Sequence, residues 1–343
     1  MGKCPFCYAV LPQAAKAPKQ GGVYGCTNCW NPCVARHEAA GVVCEPVYGF
    51  PDYRIEAVPP VLITRKVIPK LGAALENIPI LPEVPRKVMA MAHDPLTNLM
   101  DIGRVINEDA VIAMKVLRAA NSAFYACAHE IKSLDVACAR LGLKMIVKVV
   151  HAAAGGQVYR GGGRVFQKQM EQTWRHALAS AYCAAEIASA VSGVSTDDAF
   201  LAGLIHDVGR VVLLDIFTGR YGLTPSTLGG TLEQCLNIVE HYRAVAGLHV
   251  VQRWDLPHEF RASTLCSRAP HMAPVAAFLP LACVVSLADR MANQLGYACG
   301  MIEDAEPNLN PSLTLLHLQP GALEGVQLHI TDQIESLVEA LAA

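Results

Sequence analysis

Apolar residues recur at three- and four-residue spacings from about residue 71 to residue 298, while alternating strand-like patterns are scarce there. That period matches a helix of 3.6 residues per turn and predicts an all-α bundle as the main body of the chain. Helices are expected over residues 85–93, 98–106 (after Thr97), 108–120 (after Asn107), 133–139, 144–153, 166–192, 197–216, 231–253 and 275–294. The five glycines between residues 155 and 164 read as a loop.

The first 50 residues follow a different rule. They carry six of the 13 cysteines, are rich in Gly and Pro, and are too few to build an apolar core without a staple. Cys4, Cys7, Cys26 and Cys29 form two C-x2-C knuckles, a spacing that suits four thiolates around structural Zn2+. Cys33 and Cys44 could exchange as ligands, and thiol count alone also fits an iron-sulfur cluster. The segment resembles a zinc ribbon, which implies docking or nucleic-acid binding. Its basic residues are few (Lys3, Lys16, Lys19, Arg36), which favours protein docking or a structural role. Pro51, Pro59, Pro60 and Pro69 then mark an extended connector. The expected organisation is a Cys4 module over residues 1–50, a linker over 51–71, a helical domain over 72–298 and a tail over 299–343. The tail is expected to end in an amphipathic helix over 331–341, with Ile334, Leu337, Val338 and Leu341 on one face. Whether it packs on the bundle or joins two copies is open.

Charge narrows the possible partners. Lys plus Arg (28) against Asp plus Glu (30) leaves a net charge of -2, so no global basic field attracts nucleic acid or anionic lipid. Mean hydropathy is +0.29, yet the longest apolar run, residues 275–288, is broken by Pro280 and Ser286 and falls short of a bilayer. No secretory signal is visible in the first residues, so a cytoplasmic location with no membrane partner is expected. The seven cysteines beyond residue 100 stand singly among apolar residues and are expected to act as small hydrophobes.

Polar residues inside the bundle carry the chemistry. His206 and Asp207 fall in an apolar stretch that reads as helix, where two such groups need partners or a metal. His176 lies on the helix before them and Asp289 near the end of a very apolar one, so a bundle can direct all four into one cavity. Two imidazoles and two carboxylates suit Mn2+, Fe2+, Co2+ or Mg2+ with positions left for water and a phosphate oxygen. A hydrogen-bonded network without metal accounts for the same residues equally well.

NIPILPE (residues 77–83), ANSAFY (residues 120–125), Ser133-Leu134 with Leu141-Gly142, Trp174-Arg175-His176, AGLIHDVG (residues 202–209), RWDLP (residues 253–257) and Leu287-Ala288-Asp289 occur in order. Together they resemble the HDOD family of bacterial signalling domains, over roughly residues 72–295. The resemblance implies an HD-like helical fold, and the order His176, His206-Asp207, Asp289 matches the metal-binding signature of the HD phosphohydrolases. In that superfamily the metal polarises a phosphoryl group and activates water. His206 and Asp207 would then be catalytic, with Arg210 standing where related phosphodiesterases carry Lys and able to clamp phosphate; Arg175 is a weaker candidate. HDOD domains themselves generally act as regulatory modules. The GYP segment of cyclic-di-GMP phosphodiesterases is absent after Gly209, and Arg243 stands where the family more often has His. His241, His249, His258 and His271 are expected on surfaces or amphipathic faces, and His37 on a surface. The reading is a non-catalytic signalling protein that binds protein partners or a nucleotide, with no organic cofactor; the competing reading is a mononuclear metal-dependent phosphohydrolase.

Overall fold

The structure is a computed structural model of the 343-residue chain, and it describes residues 22–25, 32–38, 41–46, 83–92, 94, 96–122, 130–158, 165–220, 223–228, 230–268, 270, 273, 276–300, 311–319 and 321–342. Near the amino terminus, β1 (Gly22–Gly25), β2 (Pro32–Glu38) and β3 (Gly41–Pro46) form an antiparallel sheet in sequence order. Its register sets Tyr24 opposite Cys33 and Ala35 opposite Cys44. Cys4, Cys7, Cys26 and Cys29 lie outside the described residues, as do most of NIPILPE and His271.

Every other described element is helical. In chain order these are α1 (Glu83–Ala92), α2 (Leu99–Ile106), α3 (Ala110–Ala120), α4 (Leu134–Val158), α5 (Gln167–Ser189), α6 (Thr196–Ile205) and α7 (Val208–Asp215). They continue with α8 (Pro225–Leu228), α9 (Leu232–Arg253), α10 (His258–Leu265), α11 (Leu279–Ala292), α12 (Pro311–Leu315) and α13 (Ala322–Ala342). Full burial of side chains such as Phe200, Leu204 and Leu213 stabilises the fold by about 1.5–3 kcal/mol each. The alanine-rich α5 runs through the centre, buried at nearly every position from Met170 to Ala188, and packs on α6, α11 and α13.

Several boundaries differ from the expectation for local physical reasons. The cap of α2 is Asn98 rather than Thr97, because the Asn98 side-chain Oδ1 accepts from the Asp101 backbone N–H. Asn107 closes α2, and Asp109 opens α3 by accepting from Val111 and Ile112. The two helices expected over 133–139 and 144–153 run together as α4, kinked at Gly142, whose φ of 70° only glycine adopts without strain. Gly155 and Gly156 belong to α4, not to a loop, and lie beneath the Trp174 ring. The expected helix over 197–216 is two helices, α6 and α7, interrupted at His206-Asp207. By contrast, α9 begins as expected, with Thr231 and Gln234 forming a reciprocal capping box.

The tail packs on the bundle: α13 is longer than expected, contacts α5, and buries Ile330, Ile334 and Val338 in the core. From residue 276 the apolar run falls in a longer helical segment, Ala276–Tyr297, that is long and apolar enough to cross a membrane by length and composition. Its apolarity has an internal explanation, since α11 is buried from Leu281 to Asp289 against α5, α6 and α10. Cys138, Cys183, Cys235, Cys266 and Cys283 are buried thiols, with burial pushing Cys235 and Cys283 to about 11 and Cys266 to about 12. They match the expectation of inert core residues.

Candidate functional site

Close packing of α7 on α9 makes the site. A Cβ at Gly209 would collide with the Arg243 carbonyl and the Gly247 backbone, so only a glycine lets these helices meet backbone to backbone. That contact sets Asp207 and Arg210, at the start of α7, against Glu240 and Arg243 on α9. On the other side α5 supplies His176 and α11 supplies Asp289. His176, His206, Asp207 and Asp289, predicted to converge, do so, and all four are at most 5% exposed.

The two imidazoles are held alike. His176 Nδ1 lies 3.0 Å from the Tyr297 carbonyl, and His206 Nδ1 lies 2.7 Å from the Gly203 carbonyl. A carbonyl can only accept, which assigns the proton to each Nδ1 and turns each Nε2 lone pair inward. The two Nε2 atoms are 3.3 Å apart, and Asp289 Oδ1 is 3.1 Å from that of His176 and 3.8 Å from that of His206. Ser180 Oγ stands 3.3 Å from His176 Nε2. Two lone pairs and a carboxylate oxygen thus face one point, a set of donors that suits a metal ion. Imidazoles braced through Nδ1 are also the usual outer-shell arrangement of metal-bound histidines. His176, His206 and Asp207 each offer a ligand atom, all within 4.8 Å of one another, so the donor set can hold a metal.

Asp207 is held differently. At the break between α6 and α7 its side chain caps no amide and is bound by two guanidinium groups instead. Arg210 Nε donates to Oδ2 at 2.6 Å and Arg243 Nη1 donates to Oδ1 at 2.6 Å, while the Cys299 thiol approaches Oδ2 at 3.7 Å. Arg210 also donates through Nη1 to Glu240. Arg268 lies 3.6 Å from Glu240 Oε2 and 3.6 Å from Asp289 Oδ2. Three carboxylates, Asp207, Glu240 and Asp289, are thus opposed by three guanidinium groups, Arg210, Arg243 and Arg268. Burial pushes the Asp207 carboxyl up, but Arg210 and Arg243 outweigh it and hold the group well below the usual carboxylate range. Burial acts the same way on Asp289, and its contacts with His176 and His206, with the charge of Arg268, hold it well below that range.

Glu240, Arg243, Arg268 and Cys299 are partners that the sequence alone did not mark, since Glu240 and Arg243 stand in a helix of mixed polarity. Arg175 is half-buried on α5 and its charge is felt at the Tyr297 phenol. His258 is exposed, while His249 is half-buried, and burial pushes its imidazole down.

A family model of the HDOD domain matches residues 78–270, and the chain belongs to the HDOD family. A protein of Treponema pallidum (strain Nichols) is 26% identical over 211 residues, covering 57% of this chain and 38% of that protein, so the chain spans about two fifths of the length of the curated relative it matches. Among solved structures, a candidate metal-dependent phosphohydrolase of Shewanella amazonensis SB2B superposes with a TM-score of 0.60 at 19% identity, covering 82% of this chain and 100% of that one. A candidate signal transduction protein of Marinobacter aquaeolei VT8 superposes at 0.59 and 21% identity, covering 80% of this chain and 66% of that one. These likenesses establish the shared fold.

Proposed function

We propose that this chain is a non-catalytic signal-transduction module that relays a bound signal to partner proteins. The observation that supports this reading is the clamp on Asp207, whose two oxygens each accept a 2.6 Å bond from a buried arginine. A divalent ion using Asp207 as a ligand would have to compete with two fixed positive charges and would add charge to a network that already balances. Arg210, a candidate phosphate clamp, uses Nε on Asp207 and Nη1 on Glu240. Within this reading the amino-terminal cysteines, Cys4, Cys7, Cys26 and Cys29, hold a structural zinc and the module is cytoplasmic, both proposed from the sequence alone.

A second reading, a mononuclear metal-dependent phosphohydrolase, draws on the metal-competent set of His176, His206 and Asp207 with Asp289 beside it. A bound metal would polarise a phosphoryl group and activate water. Turnover separates the two. The purified chain is assayed with Mn2+, Fe2+, Co2+ and Mg2+ on phosphomonoesters, phosphodiesters and cyclic dinucleotides. No metal-stimulated hydrolysis is expected; turnover that Asp207→Asn removes would overturn the non-catalytic reading and establish the hydrolase.

A further inference from the structure

Lysines of this bundle differ in what holds their amines. Lys87 Nζ lies 3.1 Å from Glu83 and 3.0 Å from Glu108, and Lys132 Nζ lies 3.5 Å from Glu130. A carboxylate at that distance favours the charged ammonium, and the hydrogen bonds from Glu108 and Glu83 raise Lys87 above its ordinary value of 10.5. Lys148 on α4 is the opposite case. It is half-buried, and among the described residues its Nζ makes no hydrogen bond and no ion pair, standing instead 5.4 Å from the centre of the Phe200 ring.

That ring is fixed. Phe200 on α6 is fully buried and meets Tyr182 edge-on, with ring centres 5.2 Å apart. A phenyl face accepts no ordinary hydrogen bond, so an ammonium placed over it lacks the partners it had in water. Lys148 Nζ is not enclosed, unlike the buried Asp197 Oδ1, so a small reagent can reach it.

The surrounding charges act both ways. Burial pushes the Lys148 amine down from its ordinary value of 10.5, Asp197 on α6 and Glu186 on α5 pull it up, and Lys144 pushes it down again; burial prevails. Lys144 stands one turn before Lys148 on the same side of α4, beyond the kink at Gly142, and is exposed. A desolvated amine beside a second cation is an arrangement that makes lysine nucleophilic. The exposed ammonium of Lys144 can also draw a phosphate dianion to the same place.

We propose that Lys148 is an acylation site whose acyl donor is a small acyl phosphate, with Lys144 receiving the phosphate. The Nζ lone pair forms a C–N bond to the acyl carbon, and the acyl C–O bond breaks with its electron pair passing to phosphate. The proton shed by Nζ leaves with that phosphate. The product is a neutral amide, which removes the positive charge set among Asp197 and Glu186 where α4 packs on α6. The inference goes beyond the signalling reading and does not rest on it.

Site-resolved mass spectrometry of the full chain during incubation with acetyl phosphate at neutral pH tests the inference. Lys148 is expected to acetylate at least about tenfold faster than Lys87 and Lys132. Lys144→Glu, a change on an exposed face, is expected to slow Lys148 at least about threefold while leaving Tm and the rates at Lys87 and Lys132 as they were. Should Lys144→Glu lower Tm, the milder Lys144→Gln replaces it with the same direction expected. Acetyl-CoA at equal concentration is expected to label Lys148 more slowly than acetyl phosphate. Labelling of Lys148 no faster than that of Lys87 and Lys132, an unchanged rate in the folded Lys144 variants, or equal labelling by acetyl-CoA would each overturn the proposal. Phosphate-ester hydrolysis is not read in this experiment, so its failure leaves the non-catalytic reading to its own assay.

Discussion

Asp207 and Arg243 face each other across the contact of α7 with α9, Oδ1 to Nη1 at 2.6 Å, both nearly free of solvent. The pair joins Asp207, which follows His206 at the break between α6 and α7, to an arginine supplied by α9. An arginine there supplies a fixed charge to Asp207, whereas a histidine could supply a lone pair to a metal. Each Asp207 oxygen accepts from a guanidinium in this arrangement.

Arg243→Met removes one guanidinium and leaves Asp207 with an uncompensated charge. Breaking a buried pair from one side costs about 3–5 kcal/mol, and urea unfolding of the variant is expected to show a loss in that range. The double variant Asp207→Asn, Arg243→Met should be more stable than the sum of the single changes implies, because both charges leave together. Strict additivity would show that the two residues do not interact.

Acid stability follows from the two buried aspartates. Both Asp207 and Asp289 are held well below their ordinary value of 3.8 in the folded chain. A carboxyl with a depressed folded-state value stabilises above its unfolded value and loses that contribution as pH falls through the folded one. Stability is therefore expected to hold steady above about pH 5 and to fall progressively below about pH 4. Asp289→Asn should show a shallower decline, measured by denaturant titrations at each pH. A native chain whose stability is constant down to pH 2 would contradict the assignment.

Gly209→Ala places a methyl group into the Arg243 carbonyl and the Gly247 backbone. Relief requires α7 and α9 to separate, at a cost near the upper end of overpacking penalties, about 3 kcal/mol. Circular dichroism melts should show the loss, and because the same contact sets Asp207 against Arg243, the acid limb of the stability curve should move with it.

Metal content distinguishes the two ends of the molecule. Elemental analysis of chain purified without chelator is expected to find about one zinc per chain, lost in a Cys4→Ser, Cys26→Ser variant. Manganese and iron are expected only in traces, since Arg210 and Arg243 hold Asp207. A substantial fraction of either metal that disappears with His206→Ala would favour the hydrolase reading.

Much of this site was legible from residues alone. His176, His206, Asp207 and Asp289 stood out because charged and imidazole groups are expensive in apolar helices, and their order carried the family resemblance. The break between α6 and α7 was not legible, because the local pattern across His206-Asp207 is as helical as its flanks. The Asp207 side chain at that break is bound by Arg243, 36 residues away in sequence.

The one-dimensional pattern of apolar and polar residues determined the helical class, most helix positions and the four residues that converge, since each of these depends on neighbours within a few turns. Only the tertiary structure decided what those four residues are bonded to. Arg243 reaches Asp207, Arg268 reaches Asp289 and Glu240 reaches Arg210 through the glycine contact of α7 with α9 and the placement of α11. The charge balance of a buried network depends on distances between helices, which no local spacing encodes.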